Sequence, residues 1–324
     1  MIIAAWVVSG LFQRETKIAP GDGNLWEDDY TKQSIYSLLY AIYRSVGEVS
    51  DGMGESYEFT FNTWGYTWPE EWGRTANLET DPQIFGRNAY SGLFHFPKVK
   101  DYIAERDGQV RIVELGCGTG AGAHHLCSNL LPQCSYEAVD MQLSAIATCR
   151  RKFVPELGGR LKATHADATK LEIADDSTDF VVVSETHVTE QPGFVSEEDH
   201  AFLGSAKRIM KPGGYLLWGN AIPAVTWQPC FDYLESIGMQ VCEVCDVTKE
   251  AIAARERDVA RVEAYVLQTL DRFFGFRIPF VGPKRRSEAE LAMKNFYRHP
   301  GTRLYENLRD GTDAYRVVMV QKAA

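Results

Sequence analysis

The sequence predicts an α/β fold built on a doubly wound, mostly parallel sheet of seven strands. Segments with strand-like and helix-like patterns alternate between residues 106 and 245, as in a parallel sheet that is covered by helices. The first strand runs into a turn with glycine at every second position from 116 to 122. Asp140 ends the next strand, twenty residues beyond Gly120. A glycine turn and an acidic residue in this arrangement are typical of folds that bind a nucleotide-like ligand.

The predicted strands are short runs of apolar and β-branched residues between turn residues and helical segments. Five of them are expected in the parallel part of the sheet, near residues 110–114, 135–139, 161–165, 179–184 and 214–219. A sixth strand is expected at 239–245. The segment DAYRVVMVQK at 313–322 follows a turn at Gly311 and is expected to form the seventh strand, at an edge of the sheet.

These elements divide the chain into four predicted regions: an N-terminal arm with an aromatic and helical lid, the core, a helical cap insertion, and the final core strand. The regions span residues 1–105, 106–245, 246–312 and 313–324, respectively. Helical spacing of apolar residues predicts one lid helix at Thr31–Val46, with a neighbouring stripe of tyrosines that includes Tyr40. A long helical pattern from Val247 to Phe274 opens the insertion, which we expect to lie over the mouth of the ligand site.

The segment from Phe59 to Trp72 is the most aromatic part of the chain, with two Phe, three Trp and one Tyr in fourteen residues. Aromatic rings at this density either fill a core or form the wall of an apolar pocket. We expect a wall that contacts a small-molecule substrate. The residues expected in it are Tyr40, Trp64, Tyr66, Trp68 and Phe194.

Composition limits the classes of partner and compartment. The chain has 34 Lys and Arg against 44 Asp and Glu, a net charge of -10, which argues against nucleic acid as a partner. The apolar N-terminal stretch is too short to span a bilayer, so no integral membrane segment is expected. Seven scattered cysteines predict free thiols in a reducing cytoplasm. Cys242 and Cys245 form a CxxC pair without a second pair nearby, so no metal site is predicted.

The glycine turn and the segments after it resemble the class I S-adenosylmethionine-dependent methyltransferases. The run ELGCGTG (114–120) matches their first motif, Asp140 matches the second, and HADATKL, which contains Asp167, matches the third. The segments DFVVVSETHV and AKRIMKPGGYLLWGN continue the resemblance, which covers about 110 residues in the expected order. It implies S-adenosylmethionine as cofactor and S-adenosylhomocysteine as product. The implied cofactor contacts are Glu114, Gly116, Cys117, Gly118, Gly120, Asp140, Met141, Asp167, Ala168 and Ser184.

A narrower resemblance extends over most of the chain. The tyrosines of the first predicted helix, the pattern Phe61-x-x-Trp64-x-Tyr66 and the ending RLYENLRDGTDAYR (303–316) are similar to the phthiotriol and phenolphthiocerol O-methyltransferases, which lie near the sterol methyltransferases. This resemblance implies an acceptor hydroxyl on a polyketide, phenolic or lipid-like natural product. Three alternative functions stay open. They are N- or C-methylation of a similar molecule, a NAD(P)-dependent oxidoreductase that uses the same glycine turn, and a non-catalytic binding protein. A homodimer also stays open.

Ser184-Glu185-Thr186-His187 follows the fourth strand, where a parallel sheet delivers side chains to its ligand crevice. An imidazole can remove the proton from an attacking hydroxyl, so His187 is the predicted general base, with Glu185 as the alternative. A purely structural role for His187 stays open, because methyl transfer from a sulfonium requires mainly alignment and desolvation. His200, in the segment that follows, is a further candidate.

Overall fold

The computed structural model describes residues 61, 63–73, 81, 83–186, 192–274 and 283–323, and two short strands near the N-terminus. The short strands, β1 (Glu48–Ser50) and β2 (Ser56–Glu58), pair antiparallel. The predicted helix at Thr31–Val46, with Tyr40, and the predicted base His187 lie outside the described residues.

The remaining elements alternate as predicted. In chain order they are α1 (Ile84–Leu93), α2 (Pro97–Ala104), β3 (Arg111–Leu115), α3 (Ala121–His125), β4 (Ser135–Asp140), α4 (Leu143–Lys152), α5 (Val154–Leu157), β5 (Leu161–His165), β6 (Thr178–Ser184), α6 (Glu197–Ile209), β7 (Met210–Pro223), α7 (Trp227–Ser236), β8 (Met239–Asp246), α8 (Thr248–Arg257), α9 (Val259–Phe274), α10 (Pro283–Phe296), α11 (Arg303–Asp310) and β9 (Asp313–Lys322). Among the described residues, no helix is long and apolar enough to cross a membrane.

Strands β3 to β9 form one seven-stranded sheet in the order β5-β4-β3-β6-β7-β9-β8. The first five are parallel, and β9 is antiparallel to both of its neighbours. This sheet confirms the predicted fold class. The predicted edge position of the last strand is wrong, because β9 lies between β7 and β8. The reason is visible in the run VVMV at 317–320, which is buried on both faces, whereas an edge strand has no need of a continuous apolar run.

Helices cover both faces of the sheet, and successive residues of the central strands contribute to opposite layers. In β6, Phe180 and Val182 pack with the layer that contains α1 and α3, while Val181 and Val183 pack with the layer that contains α6 and α7. The sheet is therefore buried on both faces, and its ligand site is expected at the ends of the strands.

The long helical pattern after β8 is two helices, α8 and α9, rather than the one predicted. The chain breaks at Asp258, whose buried carboxylate forms ion pairs with Arg255 and Arg261. Both arginines lie within three residues of Asp258, so a local charge cluster, which apolar spacing does not reveal, fixes the junction. The helices α8 to α11 occupy the predicted insertion between β8 and β9.

Candidate functional site

The carboxyl ends of β3, β4, β5 and β6 meet at one edge of the sheet. The chain adds β4 and β5 on one side of β3, and then places β6 on the other side. Such a reversal of strand order opens a crevice, and ligands of doubly wound sheets bind there. We call this edge, with the turns that follow the four strands, the cofactor edge.

The glycine turn after β3 is possible only without side chains at two of its positions. Gly116 and Gly120 have positive φ angles of 80° and 88°. A Cβ on Gly116 would lie 2.1 Å from the hydroxyl oxygen of Thr186, and one on Gly120 would lie 2.4 Å from the sulfur of Cys149. Glycine is therefore needed here for close packing as well as for backbone conformation.

Hydrogen bonds fasten this turn to β4. The amides of Gly116 and Cys117 both donate to the carbonyl of Val139, at 2.8 and 2.9 Å. The amide of Gly118 donates to Oδ2 of Asp140 at 2.8 Å. The thiol of Cys117 is buried, and burial raises its pKa well above the usual value. Cys117 therefore supports the turn, and its contact with the cofactor stays a prediction.

Asp140 is held with its carboxylate at the end of β4. Its Oδ1 accepts a hydrogen bond from the amide of Gln142 at 2.7 Å, in addition to the Gly118 bond on Oδ2. Each carboxylate oxygen can accept a further bond, so the pair of oxygens suits two adjacent hydroxyl groups, such as a ribose diol. Burial raises the pKa of Asp140 to about 6, although both backbone bonds favour the charged form.

Glu114 lies beneath the turn rather than open to the crevice, which corrects the direct cofactor contact expected from the sequence. The side chain is completely buried, and its two oxygens accept hydrogen bonds from the hydroxyls of Tyr90 and Tyr136, at 2.9 and 3.0 Å. Burial raises the pKa of Glu114 to about 7, against the opposing effect of the two tyrosines. The neighbouring Asp140 raises it further.

Three further predicted contacts have exposed or unsatisfied groups at the cofactor edge. Met141 follows β4 with half of its surface exposed (50%), which is unusual for a large apolar side chain. Asp167, after β5, is exposed and caps the short turn that begins at Ala168 by accepting from the amide of Thr169 at 2.8 Å. The buried hydroxyl of Ser184 has no hydrogen-bond partner among the described residues. Asp140 can accept hydrogen bonds from a diol, Met141 offers an exposed apolar surface, and Ser184 has a hydroxyl without a partner among the described residues. Together these features fit S-adenosylmethionine.

The Glu185 carboxylate is an anchor, and this corrects its assignment as an alternative base. Oε1 accepts from the hydroxyls of Thr63 and Tyr315, at 2.9 and 2.7 Å, and from the amide of Gly65 at 3.0 Å. Oε2 accepts from the amide of Trp64 at 2.8 Å. Four donors leave this carboxylate little capacity to remove a proton from a substrate, but they attach residues 63–65 to the end of β6.

We call residues 63–73 the aromatic segment. Tyr66 is completely buried and packs edge-on against Trp72 and Tyr315, with ring centroids 6.1 and 5.3 Å apart. The structure thus assigns Tyr66 to the core, which corrects its expected place in an acceptor wall. Trp64 and Trp68 are only partly buried, so their predicted roles are compatible with their positions.

Trp64 also joins the aromatic segment to the helical insertion. Its indole nitrogen donates to the carbonyl of Phe296 at 2.7 Å, and the guanidinium of Arg298 lies 4.2 Å from the ring centroid. Buried Arg255 donates to the Trp64 carbonyl. Neither arginine was predicted from the sequence, since charge in a helical pattern usually indicates a solvated face. The role of Tyr315 was not predicted either, although the terminal motif contains this residue.

The structure constrains the chain just before His187. The side-chain amide of Asn220, on β7, donates to the carbonyl of Thr186 at 2.8 Å, and the Thr186 hydroxyl donates to the carbonyl of Leu115 at 2.9 Å. Two neighbouring strands therefore hold Thr186, the last described residue before His187. Phe194 is exposed (53%), and the ring of His200 stacks on another aromatic ring, that of Tyr233, at 3.9 Å.

The chain is similar in sequence to known methyltransferases. Residues 112–214 match a family model described as "Methyltransferase domain". The chain is 27% identical over 239 residues to the fatty-acid O-methyltransferase of Mycolicibacterium smegmatis, a match that covers 73% of this chain and 76% of that protein. It is 24% identical over 269 residues to the phthiotriol/phenolphthiotriol dimycocerosates methyltransferase of Mycobacterium leprae, covering 82% and 86%.

Solved structures agree on the fold. A geranyl diphosphate methyltransferase has a TM-score of 0.54 at 13% identity, covering 92% of this chain and all (100%) of that one. The cyclase SpnF has a TM-score of 0.53 at 16% identity, covering 91% and 96%. Because the second structure is named a cyclase, the fold alone does not define the reaction. The matched domain and the named relatives identify the reaction as methyl transfer, and the chain is an S-adenosylmethionine-dependent methyltransferase.

The buried Glu114 gives a prediction for stability. The pKa in the folded chain is about 7, above the ordinary value of 4.5, so the folded state binds this proton more tightly than the unfolded state. Stability must therefore fall as pH rises from about 4.5 to 7, by about 3 kcal/mol at 1.36 kcal/mol per pKa unit. Glu114→Gln has the shape of the protonated side chain. We expect it to match the wild type at pH 4 and to exceed it by about 3 kcal/mol at pH 8, measured by urea unfolding.

Glu137→Gln is the matched control. This neighbouring glutamate on β4 forms ion pairs with Lys162 and Arg111, which hold its pKa below the ordinary value despite partial burial. The control variant should therefore lose stability at pH 8. A Glu114→Gln variant that is less stable than the wild type at both pH values would contradict the account of Glu114.

Proposed function

We propose that the chain methylates a hydroxyl group of an apolar small molecule, of polyketide, phenolic or lipid-like type. The observation that carries this proposal is the attachment of the aromatic segment to the cofactor edge through Glu185, which follows directly after Ser184. An acceptor that reaches the cofactor edge beside this segment would meet the partly buried ring of Trp64, and Trp68 is the next partly buried tryptophan along the segment. Aromatic surface of this kind favours an apolar molecule.

The names of the relatives support an oxygen acceptor on a lipid. One is named a fatty-acid O-methyltransferase and another a phthiotriol/phenolphthiotriol dimycocerosates methyltransferase. Both matches cover more than 70% of this chain, including much of the region outside the methyltransferase domain. The N- and C-methylation alternatives lack support of this kind.

S-adenosylmethionine supplies an electrophilic methyl group when it is bound. Transfer to a hydroxyl then requires alignment, exclusion of water and removal of one proton. Trp64 and Trp68 would exclude water, and Asp140 would orient the ribose. His187 would take the hydroxyl proton; it follows Thr186, which hydrogen bonds to Asn220 and Leu115 hold.

The setting and the assembly of the enzyme are part of the proposal. The seven cysteines are free thiols, which supports a reducing, cytoplasmic location. The net charge of -10 supports a partner other than nucleic acid. Assembly as a homodimer stays a prediction, and the molecular mass in solution tests it.

The direct test is methyl transfer from labelled S-adenosylmethionine to three acceptors with the same alkyl chain: an alcohol, a carboxylic acid and an amine. We expect the alcohol to be methylated. Its turnover should rise with pH through a group that titrates near pH 6.5, which is about the unperturbed pKa of a histidine side chain. His187→Ala should lower that turnover by about 10²- to 10⁴-fold, and the pH limb should disappear.

His200→Ala is the matched control, because its ring stacks on Tyr233 and the variant should keep most of the turnover. A carboxylate is already ionised at neutral pH and needs no base. Methylation of the acid alone, unaffected by His187→Ala, would therefore contradict the hydroxyl acceptor and the role of His187 but leave O-methylation intact. Methylation of the amine alone would contradict O-methylation.

A second prediction concerns Asp140 and the product S-adenosylhomocysteine. Hydroxyl groups donate to the ionised carboxylate, so binding should lower the Asp140 pKa from about 6. Affinity should then fall as pH drops below about 6, by up to about tenfold per pH unit. Asp140→Asn should weaken binding by about 1.5–3 kcal/mol at pH 8 and remove this pH dependence, as measured by calorimetry. Affinity that is the same at pH 5 and pH 8 in the wild type would remove Asp140 from the ribose site.

A further inference from the structure

Three side chains with metal-binding atoms meet near the outer edge of the sheet, away from the glycine turn. His95 follows α1, and Glu243 and Cys245 lie on the edge strand β8. One ligand atom from each residue lies within 4.8 Å of the other two. The imidazole Nε2 of His95 and the sulfur of Cys245 are 4.0 Å apart. A nitrogen, a carboxylate oxygen and a sulfur therefore surround one point.

A β-bulge in β8 creates this arrangement. The register to β9 shifts between Val241 and Glu243, so Cys242 is the extra residue. After the bulge, Glu243 and Cys245 are two residues apart and point to the same face of the sheet. Cys242 also packs against that face, but its sulfur lies near the carbonyl of Gln240, at 3.5 Å.

The His95 ring is already oriented as a metal ligand would be. Its Nδ1 lies 3.0 Å from the carbonyl of Gly92. A carbonyl only accepts hydrogen bonds, so Nδ1 carries the proton and Nε2 presents its lone pair to Cys245. Metal-ligating histidines almost always use their other ring nitrogen in this way.

We propose that His95, Glu243 and Cys245 bind one divalent transition-metal ion, for which Zn²⁺ is the best match. Mixed nitrogen, sulfur and oxygen ligands suit zinc, and three protein ligands leave a fourth position for water. The metal–sulfur bond forms as the Cys245 thiol loses its proton to solvent, since thiolates are the ligands.

The proposed ion would stabilise the attachment of the aromatic segment to the sheet. Trp72 stacks on the His95 ring, with centroids 3.6 Å apart and planes 20° apart. The same Trp72 contacts Tyr66 and Trp68. Fixing His95 to β8 would therefore restrain this end of the aromatic segment, while Glu185 restrains the other. The sequence predicted no metal site, because Cys245 and His95 are 150 residues apart.

Cobalt binding tests the site without reference to activity. The tag-free full chain, stripped of metal by a chelator and checked for folding by circular dichroism, is titrated with Co²⁺. We expect one equivalent to bind with a thiolate-to-cobalt charge-transfer band in the near ultraviolet, and Zn²⁺ to displace it. Cys245→Ser should lose the band. Cys242→Ser is the matched control and should keep it.

Glu243→Gln gives a second test at an exposed position on the strand, where the substitution should not prevent folding. The variant should keep the charge-transfer band but bind Zn²⁺ more weakly. Loss of a residue that only supports a ligand costs roughly tenfold to hundredfold in metal affinity, and loss of the ligand itself should cost at least as much. The absence of a band in the wild type, its persistence in Cys245→Ser, its loss in Cys242→Ser, or unchanged zinc affinity in Glu243→Gln would overturn the proposed ligand set.

Discussion

One carboxylate, that of Glu185, joins the cofactor edge to the regions that cover it. Its four hydrogen bonds connect the end of β6 to the aromatic segment and to β9. Glu185 has a positive φ of 48°, a conformation that costs a non-glycine residue roughly 1–2 kcal/mol. Hydrogen bonds to a charged group contribute about 1.5–3 kcal/mol each, so the four bonds outweigh this strain. The strained backbone therefore persists because its partners hold it.

The cofactor edge itself is built at a cost to stability. Glu114 and Asp140 are both buried acids whose pKa values are raised, and neither forms an ion pair among the described residues. A chain selected only for stability would lack them. Two carboxylates beneath and beside the glycine turn make this edge favourable for a cation, and S-adenosylmethionine carries a sulfonium and an ammonium group. Function explains these acids better than folding does.

The sequence was sufficient wherever local pattern decides the structure. The core strands, the glycine turn and the position of Asp140 all follow from short-range spacing, and the structure has them. The sequence was insufficient where distant partners decide. Tyr66 was expected in a pocket wall, but packing against Trp72 and Tyr315 makes it a core residue.

The failure at Glu185 has the same origin. Glu185 was expected as an alternative base, but hydrogen-bond donors about 120 and 130 residues away in the sequence make it an anchor. The run VVMV, by contrast, already indicated burial on both faces and could have placed β9 inside the sheet. His95 and Cys245 show the limit of motif reading, because a bulge and a fold bring together residues that no motif joins.

Hydrogen exchange across the aromatic segment tests the anchoring role of Glu185 most directly. The amides of Trp64 and Gly65 donate to this carboxylate, so Glu185→Ala should abolish their protection while β3 and β4 keep theirs. Glu235→Ala, on the exposed side of α7, should leave both regions unchanged. If Trp64 and Gly65 exchange at the wild-type rate in Glu185→Ala, the carboxylate does not hold the aromatic segment on the cofactor edge.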